Sequence, residues 1–280
     1  MKYYEVEFTV PDISGAADIL VSYAGDIGFE AFDESGDRLM GYIQRQLYDE
    51  EALKAMVDEF PMGSEKIVYT VREAEDKDWN EQWEQEGFDP ILIGKDICIH
   101  DGRHLPPCPT PVSIEIDAKM AFGTGTHETT RMVVKVLTET DLHGKAVLDC
   151  GCGTGILSIA ALKSGAASAI GYDIDEWSVD NARHNAVING VDSHFQSLLG
   201  DASVIDTLTD RFDIVVANIN RNILLADMEQ FHKALVPGGT LILSGFYESD
   251  IPQLTEKAAR YHLHPVHQLT DNEWSCLVLA

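Results

Sequence analysis

Positive charge is what this sequence has little of. Its 280 residues hold 20 Lys and Arg against 47 Asp and Glu, a formal net charge of −27 at pH 7. A surface of that sign repels phosphates over a Debye length of ~8 Å at physiological salt and attracts basic proteins. Direct binding of RNA or DNA is therefore disfavoured; taken alone, the acidity fits a basic protein partner and fits equally a charge that simply keeps the chain soluble. Cysteine is scarce as well. The five are odd in number and scattered, with Cys150 and Cys152 two apart in one glycine-rich stretch. That pattern argues against a disulfide framework, points to a reducing compartment and has the wrong spacing for zinc. Long apolar runs are missing too. No segment approaches the ~20 apolar residues of a membrane span, and Met1-Lys2-Tyr3-Tyr4-Glu5 lacks the apolar centre of a signal peptide. A cytoplasmic protein without membrane attachment is the expectation.

What is there begins with an ordinary globular composition, 45% apolar and 24% charged, enough for a large domain and a small one. The stretch from Val147 to Asp175 carries the strongest signal. Ala146–Leu148 is a short apolar run of the kind buried in a parallel sheet, and Ile156, Ile159, Ala160 and Leu162 continue at helical spacing until Gly165. Ala169–Tyr172 returns as a second strand. Gly151, Gly153 and Gly155 stand where a side chain would strain the turn or hold a ligand off the backbone. Dinucleotide sites space their glycines as G-x-G-x-x-G; here the third comes one residue early and an acid, Asp149, leads the turn. Such a site suits a cation without phosphate. Asp173, twenty-two residues after Gly151, ends the second strand where a carboxylate can accept both hydroxyls of a ribose. S-adenosylmethionine, a sulfonium joined to an adenosine, satisfies both acids.

Around this stretch the chain reads as an α/β protein with a doubly wound, Rossmann-like sheet of seven strands behind an N-terminal ferredoxin-like α+β domain. Tyr4, Val6, Phe8 and Val10 alternate as a strand, Ser14 starts a helix ending at Gly25, and Phe29–Phe32 and Leu39–Ile43 flank a hairpin turn. Glu50–Phe60 is helical and Ile67, Tyr69 and Val71 alternate again, which completes β-α-β-β-α-β. Residues 1–75 form this first domain, 76–88 an interdomain helix with Trp79 and Trp83 on one face, and 89–280 the larger domain that holds the glycine turn. In the second domain Thr126 can cap a helix carrying Val133, Val134 and Leu137, so hydroxyls and free N–H groups gather at one helix start. A cofactor carboxylate suits that start, which makes Thr124 and Thr130 candidates to hold it; His127 is read as structural or as a substrate-side contact. Helix Ile223–Val236 is expected to stop before Pro237-Gly238-Gly239, with Thr240–Leu243 as the fifth strand. Asn218 ends the apolar strand Phe212–Ala217. Ligands of an open parallel sheet lie outside the carboxyl ends of its strands, so Asn218 points at the reaction centre. His262, His264 and His267 have no acid or cysteine at ligand spacing, and no metal is expected.

Asp-x-Gly-x-Gly-x-Gly followed by a second-strand acid resembles the seven-stranded S-adenosylmethionine-dependent methyltransferases. Ala121-Phe122-Gly123-Thr124-Gly125-Thr126-His127-Glu128-Thr129-Thr130, Val216-Ala217-Asn218-Ile219 and Asp76-Lys77-Asp78-Trp79 narrow the resemblance to the ribosomal protein L11 methyltransferase (PrmA) family, from about Asp76 to the end. The resemblance implies methyl transfer to amino groups of a basic ribosomal protein, free or ribosome-bound, which the first domain grips. It also implies cofactor contacts from Phe122 and Thr130, and from Asp201 to the adenine amino group. Asn220-Arg221-Asn222 departs from the smaller residues common in relatives, and the Asn-Pro-Pro-Tyr signature of amide and adenine methyltransferases is absent. Two other readings stand beside this one: an N-methyltransferase acting on another protein or a small molecule, and a silent binding module.

Overall fold

The computed structural model describes residues 3–9, 20–21, 23–25, 27–35, 38–58, 60, 67–73, 87–107, 109–118 and 123–280. The chain divides into two compact units, Met1–Asp78 and Trp79–Ala280. Trp79 and Trp83, expected on one helical face, Phe122, and most of the 76–88 segment lie outside the described residues.

In the first unit, β1 (Tyr3–Thr9), β2 (Phe29–Ser35), β3 (Arg38–Gln44) and β4 (Val68–Glu73) make an antiparallel sheet of order β2-β3-β1-β4. That is the order a β-α-β-β-α-β chain produces when its first and third strands pair in the centre. Period-two alternation sends Val6 and Phe8 of β1 to one face. They join Leu39, Ile43 and Phe29 there, and Leu20 and Ala24 with Leu53 and Met56 of α1 (Glu50–Asp58) close the core. Polar residues on or just beyond the strands pair at the surface instead, Glu7 with Arg38 at 3.0 Å and Arg45 with Glu73 at 3.3 Å.

The second unit opens with a small sheet in which β6 (Ile97–His100) lies between β5 (Ile91–Ile93), antiparallel, and β7 (Val112–Glu115), parallel. Then come α2 (Glu128–Glu139), β8 (Ala146–Cys150), α3 (Ile156–Lys163), β9 (Ser168–Asp173), α4 (Glu176–Ile188) and β10 (Phe195–Leu199). The chain returns as β11 (Phe212–Asn218), α5 (Arg221–Ala234), β12 (Leu235–Tyr247), α6 (Ile251–Ala259), β13 (Pro265–Asp271) and β14 (Trp274–Leu279). The large sheet has order β10-β9-β8-β11-β12-β14-β13, parallel from β10 to β12. β14 is antiparallel to both its neighbours.

Neighbouring residues along the central strands serve opposite faces. Val147, Ile214, Val216, Ile242 and Val278 pack with α2 and α3, whereas Leu148, Val215, Ala217, Leu243 and Leu277 pack with Leu224, Met228 and Phe231 of α5 and Leu254 of α6. Burial on both faces is what turns these strands into unbroken apolar runs. One expected boundary moves: β12 starts at Leu235, before Pro237-Gly238-Gly239, because Leu235 pairs with Phe212 and the register then resumes at Ile214–Thr240. The order reverses between β8 and β11, since successive crossovers lead from β8 to β9 and β10 on one side and from β11 to β12 on the other. Such a switch point opens a crevice at the carboxyl ends of the strands.

Candidate functional site

The glycine turn after β8 folds over the end of β9, with the N–H groups of Gly151 and Cys152 donating to the Tyr172 carbonyl at 2.9 and 3.0 Å. Gly151 and Gly153 are left-handed, at φ +73° and +52°, a conformation that side chains disfavour. Gly155 is the N-cap of α3 at φ +79°. A Cβ on it would sit 3.0 Å from that of Ala182 on α4, so this glycine lets two helices approach. Asp173 closes the turn: Oδ2 accepts from the Gly153 N–H at 2.9 Å and Oδ1 from the Asp175 N–H at 3.0 Å. Its carboxyl is raised above the ordinary range by burial, against the pull of those two bonds.

Asp149 is placed differently. It belongs to a strand covered on both faces and is fully buried, with Oδ2 accepting from the Ser158 N–H at 3.1 Å and hydroxyl at 2.8 Å. Burial pushes its carboxyl up to about 7 despite those bonds, and Oδ1 is buried without a hydrogen-bond partner. The acid that leads the turn therefore lies beneath it. Asp201 is exposed and caps the short 3-10 helix that follows, accepting from the Ser203 N–H at 2.9 Å. The hydrogen bonds from Ser203 lower its carboxyl.

Across the switch point stands Asn218, whose Nδ2 donates to the buried Thr130 hydroxyl at 3.4 Å. Residues eighty-eight positions apart thus meet at the end of β11 and the first turn of α2. The cap of α2 is His127, not Thr126: extended backbone at φ −72°, ψ 143° lets its ring nitrogen accept from the Thr129 N–H. Thr126 instead bonds the Thr124 hydroxyl at 2.9 Å. Asn220 caps α5 by accepting from the Ile223 N–H at 3.1 Å, and Arg221 reaches Asp250 at 3.0 Å. The polar Asn220-Arg221-Asn222 segment is therefore a helix start anchored to the loop after β12.

Two groups escaped the sequence reading. Asn181 and Asn185 of α4 and Asn189 at its C-cap, four apart, bond the backbone at the end of β7 and just beyond it. Asn181 donates to the Asp117 carbonyl at 2.9 Å, Asn185 accepts from the Asp117 N–H at 3.0 Å, and Asn189 accepts from the Glu115 N–H at 3.0 Å. Asn185 also donates to the Thr154 carbonyl in the glycine turn at 2.9 Å, and the Thr154 hydroxyl donates to the Gly123 carbonyl at 2.7 Å. A four-residue spacing of one residue type was the available signal. The second group is aromatic. Trp274 packs against His127 at 4.8 Å and Tyr247 at 4.4 Å between centroids, at the end of the sheet where Asn218 stands.

A family model described as "Ribosomal protein L11 methyltransferase (PrmA)" matches residues 26–280. A ribosomal protein L11 methyltransferase of Phocaeicola vulgatus is 45% identical over 278 residues, 99% of this chain and 98% of the relative. One of Porphyromonas gingivalis is 40% identical over 284 residues, 99% of this chain and 97% of the relative. Among solved structures, the ribosomal protein L11 methylase of Lactobacillus delbrueckii subsp. bulgaricus superposes with a TM-score of 0.63 at 27% identity, over 69% of this chain and 98% of that one.

Proposed function

The chain belongs to the ribosomal protein L11 methyltransferase (PrmA) family, and on that premise we propose that it transfers methyl groups to amino groups of ribosomal protein L11, on lysine side chains or the N-terminal amine. The observation that supports this most is the meeting of Asn218 with Thr130 at 3.4 Å, across the switch point from the Asp173–Gly153 contact at 2.9 Å.

The residues present fit S-adenosylmethionine on two counts. Gly151 and Gly153 leave the backbone of the turn bare, and Asp149 keeps a buried oxygen without a partner, a cost of about 1–3 kcal/mol that a cationic ligand offsets. Bound, the cofactor supplies a methyl group on positively charged sulfur. Asp173 takes the ribose hydroxyls on the lone pairs left free by Gly153 and Asp175, and Asp201 takes the adenine amino group. Phe122, Thr124 and Thr130 serve the amino-acid end.

Asn218 places the acceptor. Its Nδ2 is committed to Thr130, so Oδ1 accepts an amine hydrogen and turns the nitrogen lone pair toward the methyl carbon. The chain needs no nucleophile of its own, because charge moves from sulfur to nitrogen and positioning carries the step. The amine must arrive neutral, and a lysine loses its proton from an ordinary pKa of ~10.4. Removal of that amine from water at the strand end disfavours its ammonium form. The first unit grips the protein substrate, and the net charge of −27 favours a basic one while repelling RNA.

Purified L11, free and within large ribosomal subunits, incubated with isotope-labelled S-adenosylmethionine tests the reading. Peptide masses are expected to show label on lysine or N-terminal amines. Label on an amide or on RNA, or no label at all, would overturn it.

A further inference from the structure

Ile219, the residue after Asn218, is wedged between two left-handed glycines from different elements. On one side is the cofactor turn: a Cβ on Gly151, at φ +73°, would lie 2.5 Å from Ile219 Cγ2. On the other is Gly245 of β12, at φ +89°, where a Cβ would lie 2.4, 2.8 and 2.9 Å from the O, C and N atoms of Ile219. Each approach is closer than any side chain permits, so the two glycines hold Ile219 by its side chain and by its backbone respectively.

Gly245 is not loose chain. Asn218 pairs with Ser244 in register, the Ile219 N–H donates to the Ser244 carbonyl at 3.2 Å, and the pairing of β12 with β14 shifts between Ser244 and Phe246, which makes Gly245 a bulge. The Ser244 hydroxyl donates to the Ser275 carbonyl at 2.7 Å and pins that bulge to β14. Bulges recur beside active sites, where they re-aim a side chain.

From this geometry we propose that Ile219 is the spacer of the reaction: clamped between Gly151 and Gly245, it fixes the separation between the cofactor turn and the Asn218 amide, and thus between donor and acceptor. It is a positioning residue. Its β-branch Cγ2 is the part that bears on the turn, so the shape of the side chain matters beyond its size. A displacement of about 1 Å between reacting groups costs on the order of 100-fold in rate. The proposal rests on the methyl-transfer reading above.

Steady-state transfer to purified L11 and calorimetric S-adenosylmethionine affinity are measured for the wild type, Ile219→Ala, Ile219→Leu and Ile219→Val. Alanine and leucine, which lack Cγ2, are expected to lower kcat about tenfold or more while the Kd for S-adenosylmethionine stays within threefold. Valine keeps Cγ2 and is expected to recover kcat to within threefold of wild type. Leucine preserves the side-chain volume and decides the question if the alanine variant does not fold. Unchanged kcat in the leucine variant, equal losses in valine and leucine, or a kcat loss matched by weakened cofactor binding would overturn the spacer role while leaving the function standing. A wild-type chain that binds S-adenosylmethionine yet methylates no amine would remove the function, and the spacer with it.

Discussion

The two units spend burial on different things. Among the described residues, every buried polar or charged side chain except Gln44 belongs to the second unit. Several of these, Thr130, Asp149, Thr154, Ser158 and Asn185, cluster about the glycine turn and the start of α2. The first unit buries Val6, Phe8, Leu20, Leu39, Ile43 and Leu53 and leaves its charges on the surface in the pairs Glu7–Arg38, Arg45–Glu73 and Glu5–Arg72. Burying a polar group costs free energy unless it is fully hydrogen-bonded. A region that repeatedly bears that cost is organised for something besides stability.

That contrast can be broken by substitution. The largest effect belongs to Asn218→Ala, expected to slow methyl transfer about 100-fold through lost aim while the Kd for S-adenosylmethionine stays within threefold; equal losses in both would remove Asn218 from the acceptor side. Asp173→Ala deletes charge-assisted hydrogen bonds worth about 1.5–3 kcal/mol, so calorimetry should show S-adenosylmethionine affinity falling roughly 10- to 100-fold.

Asp149→Asn sharpens the contrast through pH. The folded protein holds the Asp149 proton up to about pH 7, whereas the unfolded chain releases it near its ordinary value of 3.8. The stabilisation from the protonated acid is fully present below about pH 4 and is lost as pH rises through 7. The asparagine variant has no such loss. Urea titrations should show it gaining on the wild type between pH 4 and pH 8 by on the order of 4 kcal/mol; a constant difference would contradict the buried, protonated state. The smallest effect is in the first unit. Arg38→Ala breaks an exposed pair and should lower stability by under about 1 kcal/mol, with S-adenosylmethionine binding unchanged.

Legibility in the sequence follows the range of each interaction. Gly151, Gly153 and Asp173 were readable because a strand, a tight turn and a second strand in one short stretch fix their relation locally. The alternation of Tyr4, Val6 and Phe8 likewise carried the first sheet, and the apolar runs at Val147 and Ile214 the second. Asn218 could be placed at a strand end, but its contact with Thr130 depends on which strand lies beside β8, and only the folded order decides that. Asp149 was read as leading the turn toward a cation, whereas its strand is covered on both faces and buries the acid beneath the turn. Thr126 has the chemistry of a cap, yet the backbone at His127 gave that position to the histidine. Asn185 bridges Asp117 and Thr154, elements far apart in sequence that no local pattern joins.

The proposed reaction centre lies at the carboxyl ends of β8, β9 and β11. A crystal structure of the chain with S-adenosylhomocysteine tests it most directly. The ribose is expected on the Asp173 carboxylate, the ligand backbone over Gly151 and Gly153, and the sulfur on the Asn218 side of the turn. A ligand bound to the first unit, or one in the second unit that leaves Asp173 and the glycine turn untouched, would contradict it.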